Sequence, residues 1–103
     1  MIVLIPDLNG NPVPLFVLFR PEVKAFIEKM SKLYEVVVFT AGEEHYASKV
    51  LDQLDPNGDI FSGRLYRDSC TICNGIYIKD LTKLGRPLSD VIIVDNSPYA
   101  YYF

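Results

Sequence analysis

The sequence predicts an α/β fold built on a parallel sheet, and three observations predict it. Residues 34–40 (Tyr-Glu-Val-Val-Val-Phe-Thr) contain a continuously apolar, β-branched run, and residues 91–94 (Val-Ile-Ile-Val) are another. Runs of this kind fit strands covered on both faces, as parallel strands are. Between residues 21 and 33, Val23, Phe26, Ile27, Met30 and Leu33 recur every three to four positions, the period of an amphipathic helix. Finally, strand and helix patterns alternate along the chain, as in layered α/β domains.

The elements follow in order. Residues 2–5 and 14–19 are apolar stretches on either side of Asp-Leu-Asn-Gly-Asn-Pro. Asn9-Gly10 is a strong turn signal, so residues 2–19 read as an N-terminal β-hairpin. Arg20-Pro21 opens the first helix, 21–33. Proline suits the first helical turn, and Glu22 suits the positive end of the helix dipole. The strand at 34–40 follows, then a second helix over 43–54, stopped by Asp55-Pro56-Asn57-Gly58. Residues 64–67 and 75–79 read as short strands flanking a loop that holds Cys70 and Cys73. The 91–94 strand ends in Asp95-Asn96-Ser97-Pro98.

Composition narrows the function classes. The chain has 103 residues, so residues 1–103 read as a single domain. Half of them are apolar, enough for a packed core. Net charge is −3 and the pI about 5.0, without the basic excess of a nucleic-acid binder. No apolar run reaches the ~18 residues of a membrane span. Cys70 and Cys73 form a lone C-x-x-C with no second ligand pair, and so read as reduced thiols of an intracellular protein, nuclear or cytoplasmic.

In open α/β sheets, ligands bind beyond the carboxyl ends of the strands. Thr40 closes one apolar strand here, Asp95 and Asn96 close another, and Lys79 ends a third. A hydroxyl can donate to a phosphate oxygen, and an ammonium can neutralise a transferring phosphoryl group. The acid and the amide are hard oxygen ligands suited to Mg2+. The ensemble suits phosphoryl transfer, in which positioning and charge stabilisation dominate. Each residue also has an ordinary reading: Thr40 as a helix cap, Lys79 as a solvated lysine, Asp95-Asn96-Ser97-Pro98 as turn chemistry.

Five phrases name the chemistry: Arg20-Pro21, Thr40-Ala41 with its preceding strand, Arg64-Leu-Tyr-Arg67-Asp-Ser-Cys70, Gly75-Ile-Tyr-Ile-Lys79-Asp80-Leu81 and Val94-Asp95-Asn96-Ser97-Pro98. In this order and spacing, from about Ile5 to Phe103, they resemble the small C-terminal-domain phosphatases. That family, also called NLI-interacting-factor-like, belongs to the haloacid dehalogenase superfamily. The resemblance implies a three-layer, Rossmann-type parallel sheet and a Mg2+-dependent phosphoserine/phosphothreonine protein phosphatase working through an aspartyl-phosphate. It implies a phosphorylated protein as partner, the RNA polymerase II tail among the candidates. By the same resemblance Thr40 binds the phosphoryl group and Lys79 stabilises its charge. Asn96 ligates Mg2+, Asp95 beside it orients the site, and Arg67 meets the substrate phosphate from the rim. The alternative for Arg67 is a surface salt bridge.

The sequence departs from the family in two respects. It stops soon after the Asp95-Asn96 loop, where the family continues through another strand and helix. The nucleophile of these enzymes is the first aspartate of an Asp-x-Asp-x-Thr signature on the central strand, and residues 1–103 contain none. The expectation is therefore a domain lacking its nucleophile strand and inactive as residues 1–103 alone. The alternative is a phosphopeptide- or protein-binding module without catalysis. Asp7-Leu-Asn9 faintly echoes the signature, but Asn9 cannot shuttle a proton, and only 13 positions separate Asp7 from Arg20.

Overall fold

The computed structural model describes residues 1–97. Pro98, at the end of the Asp-Asn-Ser-Pro phrase, and the stretch on to Phe103 lie outside the described residues. The fold mixes strands with two helices, and none of the described helices is long and apolar enough to cross a membrane.

The chain opens with strands β1 (Ile2–Pro6) and β2 (Pro12–Phe16), paired antiparallel with Ile2 opposite Phe16. Asp7 organises the turn between them. Its carboxylate accepts the Asn9 and Asn11 N–H groups at 2.8 and 2.9 Å. Gly10 takes φ 81° there, a conformation glycine adopts without strain.

Helix α1 (Val23–Leu33) begins two residues later than the Arg-Pro phrase suggests. The Val23 N–H bonds the Arg20 carbonyl, closing a turn that contains Pro21 and Glu22. Glu22 has φ 69°, left-handed backbone that a right-handed helix cannot run through. It therefore caps the helix by backbone alone, and no acidic side chain occupies the first turn. Glu22 stands at the positive end of the helix, as the dipole reading expects, without a side-chain capping bond.

Strand β3 (Val37–Phe39) leads to helix α2 (Glu44–Leu54), which returns to strand β4 (Gly63–Leu65). The strands β3 and β4 pair parallel, Val38 opposite Arg64. Flanking bonds extend the ladder: Ser62 N–H to Val36 O at 2.8 Å and Thr40 N–H to Leu65 O at 2.9 Å. The described parallel partner of the 34–40 strand is thus 63–65 and not 91–94. Residues 91–94 join no described ladder. Val91 is extended (φ −114°, ψ 133°), and exposure alternates as it does along a strand, with Ile92 85% and Val94 82% exposed beside half-buried Val91 and Ile93. An extended segment becomes a strand only through a hydrogen-bonded neighbour, and none is described for it.

The cysteine segment is also more ordered than a loop. Strand β5 (Thr71–Cys73) pairs antiparallel with β6 (Ile76–Ile78) around Asn74 (φ 51°) and Gly75 (φ 77°). Two successive positive φ values make the tight hairpin turn that Asn-Gly favours.

The core sits where α2 meets β1. Ala47, Leu51 and Leu54 lie on one helix face and are buried, as are Val3 and Ile78. Lys49 Nζ donates to the Leu4 carbonyl at 2.6 Å, tying helix to hairpin. Beyond the helix, the buried Asp55 carboxylate accepts the N–H groups of Asp59, Ile60 and Phe61 at 3.0–3.2 Å. It thereby folds the loop that delivers the chain to β4. By contrast, α1 buries none of its residues fully, and α2 packs on the hairpin strand β1. The radius of gyration, 14.8 Å, exceeds the roughly 13 Å of a compact domain of this length.

Candidate active site

The carboxyl ends of β3 and β6 and the segment after Val94 carry the polar residues picked out in the sequence. Thr40 follows β3 directly. Its Oγ1 accepts the Gly42 N–H at 3.0 Å, a turn that Ser and Thr favour. Gly42 is there for space: a Cβ on it would stand 3.2 Å from Thr40 Oγ1 and 3.7 Å from Ala47 Cβ. A hydroxyl that accepts this bond still has its own proton to donate.

Arg67 starts a short 3-10 turn (Arg67–Ser69) just beyond β4, and its backbone N–H bonds the Gly42 carbonyl at 3.0 Å. Its side chain is fixed on three sides. Nε donates to the Ala41 carbonyl at 2.6 Å, Nη1 approaches Glu43 Oε1 at 3.2 Å, and the guanidinium lies 4.9 Å from the Tyr77 ring centroid. Stacking on an aromatic face suits the flat guanidinium ion. The side chain thus makes the surface ion pair weighed in the sequence, while keeping a half-exposed outer edge.

Lys79 follows β6 and forms an ion pair with the Asp95 carboxylate. Both side chains are mostly buried, 15% and 10% exposed. Burial pushes the Asp95 carboxyl up, but the Lys79 ammonium and the N–H groups of Ser97 and Asn96 outweigh it and hold the group below the usual carboxylate range. Next to Lys79, the Asp80 side chain accepts the Thr82 N–H and hydroxyl, capping the 3-10 turn Leu81–Leu84. This turns the chain sharply after the lysine.

Cys70 packs against the ends of β3 and β4, a placement the sequence did not reveal. Its thiol donates to the carbonyls of Thr40 (3.8 Å) and Tyr66 (3.9 Å). Burial pushes the thiol pKa up against the pull of Lys79 and Arg67, whose charges it senses. Both cysteines are free. The position of Cys70 within the Arg-Asp-Ser-Cys phrase was the available signal, and its thiol chemistry alone pointed elsewhere.

Asn96 is exposed beside Asp95. Its amide oxygen is a hard donor that fits Mg2+. The Asp95 carboxylate is already engaged by Lys79 and by the Ser97 N–H. Among the described residues no cluster of three or more His, Cys, Asp or Glu is arranged for a metal ion. Asp7 stands apart, in the hairpin turn, with its carboxylate bonded to that turn's N–H groups.

Thr40 and Lys79 thus stand directly after two strands, with Arg67 fixed beside the first and Asp95 paired to the lysine after the second. Over residues 2–103 the chain matches the family model described as NLI interacting factor-like phosphatase, and it belongs to that family. It is 48% identical over 97 residues to the CTD small phosphatase-like protein of Homo sapiens, covering 94% of this chain and 35% of the relative. To Phosphatase Herzog of Drosophila melanogaster it is 47% identical, with 94% and 27% covered. To CTD nuclear envelope phosphatase 1B of Danio rerio it is 50% identical over 94 residues, with 91% and 38% covered. The chain therefore spans only about a quarter to two-fifths of the length of these relatives.

Proposed function

We propose that these residues form the phosphate-binding half of a Mg2+-dependent protein phosphatase acting on phosphoserine or phosphothreonine. The observation that carries this reading is the buried Lys79–Asp95 ion pair directly after β6. Asp95 orients Lys79. One ammonium proton is committed to Asp95, and two remain for phosphoryl oxygens. Thr40 donates its hydroxyl to the same group, and Arg67 receives the phosphate at the rim through its exposed edge. Asn96 contributes one oxygen to Mg2+, which when bound supplies positive charge for the phosphate oxygens.

Neither carboxylate weighed from the sequence is free to attack: Asp95 is paired and Asp7 is folded into its turn. The reading takes the nucleophilic aspartate, and the aspartyl-phosphate it forms, from chain beyond these residues. A strand carrying it, set between β3 and 91–94, completes the three-layer parallel sheet and gives 91–94 its ladder. Splitting one displacement into two through that carboxylate is what nucleophilic catalysis supplies. Residues 1–103 alone are inactive on this reading. The names of the relatives, small phosphatase-like and nuclear envelope phosphatase, support a phosphorylated protein as substrate.

The test is hydrolysis of a phosphoserine peptide by residues 1–103 extended with a strand carrying Asp-x-Asp-x-Thr and with a C-terminal strand and helix, with and without EDTA. EDTA-sensitive turnover is expected, and Lys79→Ala lowers kcat on the order of 10²–10³-fold by removing transition-state charge stabilisation. Turnover indifferent to Lys79→Ala overturns the site. Phosphopeptide binding without turnover makes the chain a binding module, in keeping with the paired Asp95 and the turn-bound Asp7.

A further inference from the structure

Glu43 stands immediately before α2 in the position from which a side chain usually caps a helix, yet it makes no capping bond. Its carboxylate turns instead to Arg67, Oε1 lying 3.2 Å from Nη1. The second oxygen lies 3.4 Å from His45 Nδ1. Arg67 itself is locked by Ala41 and Tyr77, so Glu43 comes to the guanidinium and not the reverse. The second terminal nitrogen of Arg67, Nη2, takes part in none of these contacts. Glu43 thus places a carboxylate on the group that is to receive a substrate phosphate.

We propose that Glu43 is a specificity-determining residue: it competes with phosphate for Arg67, and so selects phosphopeptides that carry a basic residue beside the phosphorylated one. The proposal rests on the reading that Arg67 meets the substrate phosphate. Both partners of the Arg67–Glu43 pair are about half exposed, and exposed pairs are weak, so a phosphate dianion displaces the carboxylate readily. The displaced Glu43 then faces that dianion, with exposed Glu44 and Asp68 nearby in sequence. Like charges brought together oppose binding. A lysine or arginine on the substrate, placed against Glu43, offsets this repulsion, whereas an acidic neighbour adds to it.

The experiment uses the full-length chain and phosphonate analogues of one phosphoserine peptide, which bind without being hydrolysed. The peptides differ at one position beside the phosphonate: Lys, Ala or Glu. At low salt the wild type should bind the Lys peptide about two- to five-fold tighter than the Glu peptide, the scale of an exposed ion pair. High salt should erase the preference. Glu43→Gln should remove it and tighten the Ala peptide by a similar factor. In an Arg67→Gln background, or Arg67→Lys should that variant not fold, Glu43→Gln should no longer tighten the Ala peptide. If Arg67→Gln weakens all three peptides while Glu43→Gln changes nothing, the Glu43 inference fails and the Arg67 reading stands. If Arg67→Gln leaves every affinity unchanged, the Arg67 reading itself fails and the inference falls with it.

Discussion

Helices α1 and α2 are both 11 residues long and both amphipathic, yet only α2 is anchored. Its face of Ala47, Leu51 and Leu54 is buried, while α1 keeps Phe26 and Leu33 exposed and buries no residue fully. Amphipathic periodicity says which face of a helix is apolar. It does not say that a partner lies against that face. For α2 the partner is β1, held by the Lys49–Leu4 bond. For α1 no comparable surface is described. The site residues sort the same way: Thr40, Gly42 and Glu43 lead into the anchored helix, whereas Asp95 and Asn96 end a segment with no ladder of its own.

The largest effect should therefore fall on the anchored side. Leu51→Ala removes a buried side chain from the α2 face and should destabilise the fold by about 2–4 kcal/mol. Chemical denaturation of wild type and variant measures it. A loss below about 1 kcal/mol would show that the α2–β1 contact is not the core.

A second effect belongs to the same side and is read as a pH profile. Burial pushes the Asp55 carboxyl up, but the N–H groups of Phe61, Ile60 and Asp59 and the charge of Arg64 pull harder, leaving it below its ordinary value of 3.8. The folded state thus prefers the ionised form. That contribution is complete above the unfolded value and is lost as pH falls through the folded one. Thermal melts should therefore decline from about pH 4 downward. Asp55→Asn, which keeps one acceptor oxygen and loses the other, should lower the melting temperature at pH 7 and flatten the acid decline. An unchanged acid profile would mean that other carboxylates, Asp95 among them, govern it.

Much of this comparison was legible in the sequence, and its gaps have physical causes. The N-terminal hairpin, both helices and the β3 strand announced themselves through Asn9-Gly10, through apolar spacing and through β-branched runs. The Asn74-Gly75 turn carried the same signal as Asn9-Gly10, but its flanking strands have three residues each, too short for periodicity to register. The delayed start of α1 was hidden because Glu22 adopts a left-handed φ that glutamate rarely takes. Pairing partners were the least legible. A run such as 91–94 shows that it prefers an extended form, but a ladder depends on what lies beside it. At the site, residue types at strand ends pointed to phosphate and to Thr40, Lys79, Asp95 and Asn96, whereas Arg67 was picked out by the family resemblance alone. The Glu43–Arg67 pair was hidden, because an acidic residue before a helix ordinarily reads as a dipole partner.

Glu22 gives a third, smaller effect, opposite in sign. Glycine takes a φ of 69° without the steric penalty that a Cβ brings. Glu22→Gly should stabilise the fold by about 1 kcal/mol, seen as a higher denaturation midpoint with unchanged slope. A destabilised variant would mean that the glutamate side chain has a role at this helix start beyond its backbone.

The smallest effect is expected on the unanchored helix, and it tests the comparison most directly. Ile27 lies at the centre of the apolar face of α1 but is only half-buried. Truncation at such a site removes little surface that water does not already reach, and it leaves no enclosed cavity, so Ile27→Ala should cost less than about 1 kcal/mol in residues 1–103. Alanine is also the better helix former, which offsets part of the loss. The same substitution in residues 1–103 extended with the proposed nucleophile strand provides the contrast. If a strand set between β3 and 91–94 brings a cover for α1, the cost there should rise toward the 2–4 kcal/mol expected of Leu51→Ala. Equal, small costs in both forms would show that α1 keeps an open apolar face in the extended form too. The asymmetry between the two helices would then be a lasting property of the fold.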